Sequence, residues 1–375
     1  MRPAWAEVDV AAVRANAATL AAVARPAELC AVVKADAYGH GAVPVARAAL
    51  EGGATWLAVA IVEEGEELRA AGIGAPVLLL SEPPPDCFPA VVAADLRPAV
   101  YTPEGIEAAA KAVVDAGRPS PLPVHLKVDT GMHRVGAAPA DVPALAAAVV
   151  ARPELALEAV WTHLAVAEAA GDPFTAAQLD RLDAVLAGLG AAGIRPPLVH
   201  AANSAGTLLH PRARRHLARC GLALYGVLPG AGLAAPGAGD LRPALSLRAR
   251  VSLVKEVPAG DGISYGLHRR FDRPTVVATV PIGYHDGVPR RYGLTGGEVL
   301  IGGRRRPVAG VVTMDQLTVD CGDDRSVRPG DEVVLLGGQG GERIDAWEWA
   351  GRLGLIAWEV LCGIGPRVPR RYVDR

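Results

Sequence analysis

Leu29-Cys30-Ala31-Val32-Val33-Lys34-Ala35-Asp36-Ala37-Tyr38-Gly39-His40-Gly41 reads as a strand, one lysine, a turn with two glycines and the start of an Ala-rich helix. The apolar run Leu29 to Val33 does not alternate with polar residues, which is the pattern of a strand covered on both faces in a parallel sheet. Lys34 therefore stands at the C-terminal end of a central strand, the edge at which α/β folds bind ligands. A lone lysine there is ordinarily a snorkelling surface residue. Here Tyr38, Gly39, His40 and Gly41 follow at once. Glycines let backbone amides approach an anion, and the next helix begins with its positive end there. A lysine facing an anion site suggests a Schiff base with a phosphorylated aldehyde cofactor.

Outward from this stretch, strand and helix patterns alternate. Strands are expected at Trp5–Val10, Trp56–Ala60, Val77–Leu80, Pro123–Val128, Leu155–Thr162, Leu198–His200 and Cys220–Tyr225, with short pieces at Val91–Leu96 and Ala99–Val100. Thr102-Pro103-Glu104 signals a helix start by cap, proline and acid. Asp172-Pro173 caps a helix whose Leu179, Leu182, Leu186 and Leu189 make an apolar stripe. Roughly eight strand signals with helices between them fit a TIM barrel (βα)8 better than an open Rossmann sheet. The first strand-turn-helix unit also lacks the Gly-x-Gly-x-x-Gly of dinucleotide binding. Lys34, Lys127, Arg134, His163, His200, Asn203, Ser204 and Arg219 all lie at or just past strand ends, the face where barrel chemistry is built. Beyond Pro229 the helical periodicity fades. Gly230–Asp240 reads as a linker, and strands are expected at Leu245–Val254, Thr275–Pro281, Glu298–Ile301, Val308–Val311, Gln316–Asp320 and Glu332–Leu336. The chain is thus divided into an N-terminal strand over 1–10 that joins the second domain, a barrel over 11–235 and a mostly β domain over 236–375.

The 375 residues suffice for a barrel plus a smaller domain. A net charge of -2 points to neither nucleic acid nor an anionic membrane surface as partner. Five cysteines give no disulfide framework, and no pair has metal-finger spacing, so no metal is expected. No stretch has the length and apolarity of a secretory core or a membrane span. A cytoplasmic location is expected.

Val32 to Gly41 closely resembles the lysine motif of bacterial alanine racemase, a pyridoxal-phosphate enzyme of fold type III. The likeness continues through Glu63-Glu64-Gly65, the run His125 to Gly136, Thr162-His163, Ala202-Asn203-Ser204-Ala205 and the run Arg219 to Gly226. In the second domain it includes Ser264-Tyr265-Gly266, Gly283-Tyr284-His285-Asp286-Gly287, Met314-Asp315-Gln316 and Arg367-Val368-Pro369-Arg370. The resemblance implies a homodimer with shared sites, in which Lys34 carries pyridoxal 5'-phosphate as an imine. Tyr265 and Met314 would reach in from the other subunit.

Racemisation removes an α-proton on one face and returns one on the other, so two acid–base groups on opposite faces are the minimum design. Lys34 would serve the D-isomer and Tyr265 the L-isomer. Both are poor bases at a free pKa of about 10, so burial and nearby positive charge such as Arg134 must lower them. Arg219 cannot accept a proton, so it would leave the cofactor's ring nitrogen unprotonated, with His200 and His163 orienting it. Tyr38, Asn203, Ser204 and the amide of Gly221 would hold the phosphate. Arg134 would meet the substrate carboxylate or the ring oxygen. Lys127 corresponds to a family lysine often found carbamylated. Asp315 would order the Met314 loop, and Tyr284 would line the entrance. The chain departs from the family pattern at His133, His285, Thr313, Trp358 and Pro366, where relatives often have glycine, a small residue, cysteine, tyrosine and a phosphate-binding tyrosine. Competing readings are a racemase of another amino acid such as serine, a fold type III decarboxylase, and a non-catalytic pyridoxal-phosphate-binding protein.

Overall fold

The structure, a computed structural model, describes residues 2–375. It divides into two compact units, one formed by Ala12–Ala37 and Ala42–Arg242, the other by residues 2–11, Tyr38–Gly41 and Pro243–Arg375. The N-terminal strand β1 (Ala4–Asp9) belongs to the second of these.

Among the described residues, the first unit holds eight parallel strands: β2 (Glu28–Val32), β3 (Trp56–Val59), β4 (Val77–Leu79), β5 (Arg97–Val100), β6 (Leu122–Lys127), β7 (Leu155–Trp161), β8 (Leu198–His200) and β9 (Leu217–Cys220). They follow one another in the order β8-β7-β6-β5-β4-β3-β2-β9. This is the expected α/β barrel. Its strands are short and buried on both faces: Leu29 to Val33, Leu57 to Val59 and Val77 to Leu79 are all buried. Helices such as Ala42–Glu51, Val62–Ala70, Pro103–Asp115 and Phe174–Ala191 return the chain between strands, as parallel pairing requires. The Thr102 hydroxyl accepts from the amide of Gly105, as the cap signal predicts. Asn16, fully buried on the first helix, donates to the carbonyls of Leu224 (3.0 Å) and Arg242 (2.8 Å) and accepts from the Arg242 amide (2.8 Å).

Two expected barrel strands are corrected. Val91–Leu96 lies largely in a helix, Phe88–Ala93, because a short apolar run does not distinguish a strand from a buried helical turn. The last strand ends at Cys220; Gly221 breaks it, and Leu222–Tyr225 forms a 3-10 turn. The helical stripe also shifts: Val185 is buried where Leu186 was expected.

In the second unit β1 pairs antiparallel with β10 (Leu245–Arg250) and parallel with β20 (Arg370–Val373). Their sheet also takes in β15 (Glu298–Ile301), β16 (Arg304–Pro307), β18 (Glu332–Gln339) and β19 (Glu342–Ile344). A second sheet pairs β11 (Leu253–Val257), β14 (Thr275–Val280) and β17 (Leu317–Asp320). The strands β12 (Gly262–Ile263) and β13 (Arg269–Arg270) form a hairpin. Val257, Ile263, Phe271, Val277 and Ala309 make a core cluster. The expected strand at Val308–Val311 is only an isolated bridge from Val308 to Val319, since the hairpin partner of β15 lies earlier, at Arg304–Pro307. Trp349 is fully buried against the ring of Tyr292, as a packing residue.

Candidate functional site

Lys34 begins directly beyond β2, in a single turn, Lys34–Gly39. This turn winds the wrong way: φ is 52°, 51°, 52° and 54° at Ala35, Asp36, Ala37 and Tyr38, and 79° at Gly39. Left-handed winding costs about 1–2 kcal/mol per L-residue, so the turn must be held from outside. Three contacts do this. The Ala37 amide donates to the Val33 carbonyl (2.8 Å). Asp36 Oδ1 accepts from the Ala42 amide (2.8 Å), tying the turn to the next helix. Glu64 Oε1 accepts from the Ala35 amide (2.6 Å), while its Oε2 accepts from Ala60 at the end of β3 (2.7 Å). Glu64 thus clamps two strand ends beside Lys34. The two glycines signalled a turn; its handedness left no trace in the sequence.

Around the same mouth stand Arg219 from β9, His200 from β8, Lys127 from β6, and Arg134 and His163 from the loops after β6 and β7. Lys127, Arg134 and His163 line one small cavity with Asp129 and Met132. Lys127 is buried, donates to the Leu80 carbonyl (3.0 Å) and sits over the Trp161 indole at 4.3 Å. Burial, then the charges of Arg219, Arg134 and Lys34, bring it down to about 7. Arg219 packs on the same ring at 4.6 Å, and His200 stacks on it at 5.1 Å. Arg219 donates to His200 Nδ1 (2.6 Å) and to the carbonyls of Thr162 (2.9 Å) and Ala201 (3.1 Å), with His163 Nδ1 at 3.4 Å. These acceptors are uncharged. Burial and then the Arg219 charge hold both histidines well below the usual range, so they stay neutral.

The Ser204 hydroxyl accepts from the amides of Gly221 (3.0 Å) and Ala223 (3.3 Å), which leaves its own proton to give. Asn203 caps the following short helix, its Oδ1 accepting from Gly206 (2.8 Å), so its oxygen is already engaged. His133 has φ of 55°, which explains why glycine suits that position. Tyr225 is buried, its hydroxyl donating to the Val32 carbonyl. Trp161, Thr162 and Glu64 were assigned no function from sequence, yet they support three of the four cations here.

This donor set fits a pyridoxal phosphate. Lys34, Lys127, Arg134 and Arg219 converge, and a guanidinium buried to 2% exposure has only neutral acceptors. Such a cluster is costly without an anion, and a phosphate ester together with an amino-acid carboxylate supplies one.

The second unit gathers its own candidates. Tyr265, Tyr284, Met314 and Asp315 line one concave surface with Arg290 and Thr313. Tyr265, Met314 and Tyr284 are 71%, 52% and 40% exposed in the single chain. Ser264, at φ 60°, fixes the turn before Tyr265 by donating to the Val311 carbonyl (2.7 Å). Asp286 is the hub: fully buried, it accepts both Arg2 nitrogens (2.8 and 2.7 Å), Arg367 Nε (2.9 Å) and the Gly283 amide (2.9 Å). Those partners hold its carboxyl below the usual range despite burial. Arg367 also pairs with Asp315 at 2.8 Å, and the amides of Tyr284 and His285 donate to Thr313 and Met314. A Cβ on Gly283 would lie 2.3 Å from the Thr313 carbonyl oxygen, which explains the glycine. Tyr38 is buried in this unit, and burial pushes its hydroxyl up. Neither Arg290 nor Asp286 has a role assigned from sequence; for Asp286 the available signal was an acid set between Gly283 and Gly287.

The chain matches two family models, the alanine racemase N-terminal domain over residues 8–229 and the alanine racemase C-terminal domain over 244–372. It is 50% identical to an alanine racemase of Symbiobacterium thermophilum, covering 99% of this chain and 97% of that one. To an alanine racemase of Frankia casuarinae it is 46% identical, covering 98% and 96%. Among solved structures it is similar to the alanine racemase of D-cycloserine-producing Streptomyces lavendulae, with a TM-score of 0.93, 42% identity and coverage of 100% and 98%. It is also similar to the Bacillus anthracis alanine racemase with bound L-Ala-P, with a TM-score of 0.91, 37% identity and coverage of 100% and 96%.

Proposed function

Because this chain belongs to the alanine racemase family, we propose that it interconverts L- and D-alanine with pyridoxal phosphate carried on Lys34, supplying D-alanine for peptidoglycan. The observation that carries this reading is the cationic barrel mouth, with Lys34 at a strand end and Arg219 buried among neutral acceptors. Ser204, the Gly221 amide, Tyr38, Asn203, His163 and Arg219 are the residues that would hold the cofactor. When bound, it supplies the electron sink that makes an amino acid's α-carbon acidic.

The chain's own groups do the rest. Lys34 Nζ takes or returns the α-proton on the face of the D-isomer. Tyr265 of the partner subunit does so on the face of the L-isomer. A tyrosine 71% exposed on an isolated chain, on a turn fixed by Ser264, suits a group that completes a neighbour's site. Arg134 orients the substrate carboxylate, and the partner subunit's Met314 offers a backbone amide to it. Tyr284 narrows the entrance. Arg219 would donate to the cofactor's ring nitrogen and, having no acceptor atom of its own, would leave that nitrogen unprotonated. Lys127 near neutrality suits a group that balances Arg134 after modification. The match of the second family model over 244–372 weighs against a cofactor-binding protein made of the barrel alone.

The protein loaded with the cofactor and given L-alanine should yield D-alanine, while serine, lysine and arginine should turn over far more slowly. Borohydride treatment and peptide mapping should label Lys34. Tyr265→Phe should keep the visible band and lose most turnover; normal racemisation by that variant would overturn the two-base assignment. A label elsewhere would overturn the reading of Lys34.

A further inference from the structure

Behind Arg219 a file of side chains crosses the barrel from β9 to β8, β6 and β7. We propose that His125 and Glu158 are positioning residues for Arg219, acting on it through His200. The polarity of the file is forced. A guanidinium only donates, so His200 Nδ1, 2.6 Å from Arg219, must be an acceptor. His200 then carries its proton on Nε2. That atom lies 3.1 Å from His125 Nδ1, which must accept in turn. His125 carries its proton on Nε2 and gives it to Glu158 Oε2 at 2.9 Å. The file therefore begins on a cation, ends on a carboxylate and has one arrangement of protons. Both imidazoles are fully buried, and packed aromatic rings fix their planes: Trp161 stacks on His200, and Trp56 tilts against His125 at 5.5 Å. Glu158 is anchored at the far end by Arg97, whose Nε lies 3.5 Å away and which also pairs with Asp95. Arg219 and Lys127 face the His200 end.

Barrel interiors are filled mostly by branched apolar side chains. A polar file in that place stabilises the fold less than apolar packing of the same volume. Its benefit lies at Arg219. The carboxylate makes His125, and through it His200, a stronger acceptor, which fixes the guanidinium plane. The inference rests on the reading that Arg219 faces the cofactor ring.

The test uses the full-length protein labelled with 15N-histidine, with signals assigned from His125→Gln and His200→Gln. Before any substrate is added, His125 and His200 should both show the neutral Nε2–H tautomer. Glu158→Gln keeps an acceptor and should keep both tautomers, with turnover down roughly threefold; Glu158→Leu should mix the His125 tautomers, shift the visible band of the bound cofactor and lower kcat roughly tenfold with KM little changed. A protonated or Nδ1–H His125 in the wild type overturns the relay, whether or not the leucine variant folds. Intact tautomers with wild-type turnover and an unmoved band in both Glu158 variants overturn the positioning role. Failure of the Arg219 reading looks different: Arg219→Lys would then leave the cofactor band unmoved while the tautomers stay as stated.

Discussion

Replacing Glu64 by alanine removes the clamp between two strand ends without touching any group proposed to meet substrate. Its carboxylate accepts from Ala35 at 2.6 Å and Ala60 at 2.7 Å, with a long third contact to Ile61 at 3.4 Å. Hydrogen bonds to a charged partner contribute about 1.5–3 kcal/mol each. Ala35 is exposed, so water replaces part of that bond, and the lower end applies. Two such bonds, less part of the rotamer entropy that ordering the glutamate costs the wild type, give a loss of about 2–3 kcal/mol for Glu64→Ala. Glu64→Gln keeps one oxygen and one acceptor role, so about 1 kcal/mol is expected. Urea unfolding followed by circular dichroism reads this as a lower midpoint with an unchanged slope. Turnover should fall more than stability alone accounts for, because Ala35 is the first residue of the left-handed turn beside Lys34. A Glu64→Ala protein within about 0.5 kcal/mol of wild type, with normal turnover, would refute the claim that this carboxylate holds the turn.

Three further expectations follow from single features. Ala35→Gly relieves a left-handed L-residue worth about 1–2 kcal/mol against a glycine entropy of about 0.5–1 kcal/mol, so urea unfolding should show a net gain of about 0.5–1 kcal/mol. Asn16→Leu strands the Leu224 carbonyl and both backbone groups of Arg242, and should lower stability by about 3–4 kcal/mol at 1–3 kcal/mol per buried group. Lys127 is brought from 10.5 to about 7 on folding. Between those values the unfolded chain binds the extra proton, so stability rises with pH across that window, by at most about 1.4 kcal/mol per unit. Unfolding curves of Lys127→Met should lack that slope, and an identical slope in both proteins would refute the assignment.

Much of this architecture is legible in the sequence because burial writes directly into residue type. The unbroken apolar run before Lys34 is buried, and the Thr102-Pro103 signal does cap a helix. Segments whose conformation is decided by distant packing are not legible. Val91 and Val92 are apolar in either a helix or a strand, and only the fold chooses. Likewise His125 and Glu158 sit inside strands as polar residues in apolar runs. That anomaly marks a buried network, but its partners lie 75 and 33 residues from His125. The cations at the mouth were found because strand ends are readable; what supports each of them was not, because support is a matter of contact.

The indole of Trp161, covered by two cations and an imidazole, is also a built-in optical gauge. Emission from that ring responds to the local electric field, so neutralising Lys127 must change its colour or yield. The chain has six tryptophans, and subtracting the spectrum of Trp161→Phe isolates this one. The barrel therefore reports the charge state of its own mouth in light, with no dye attached.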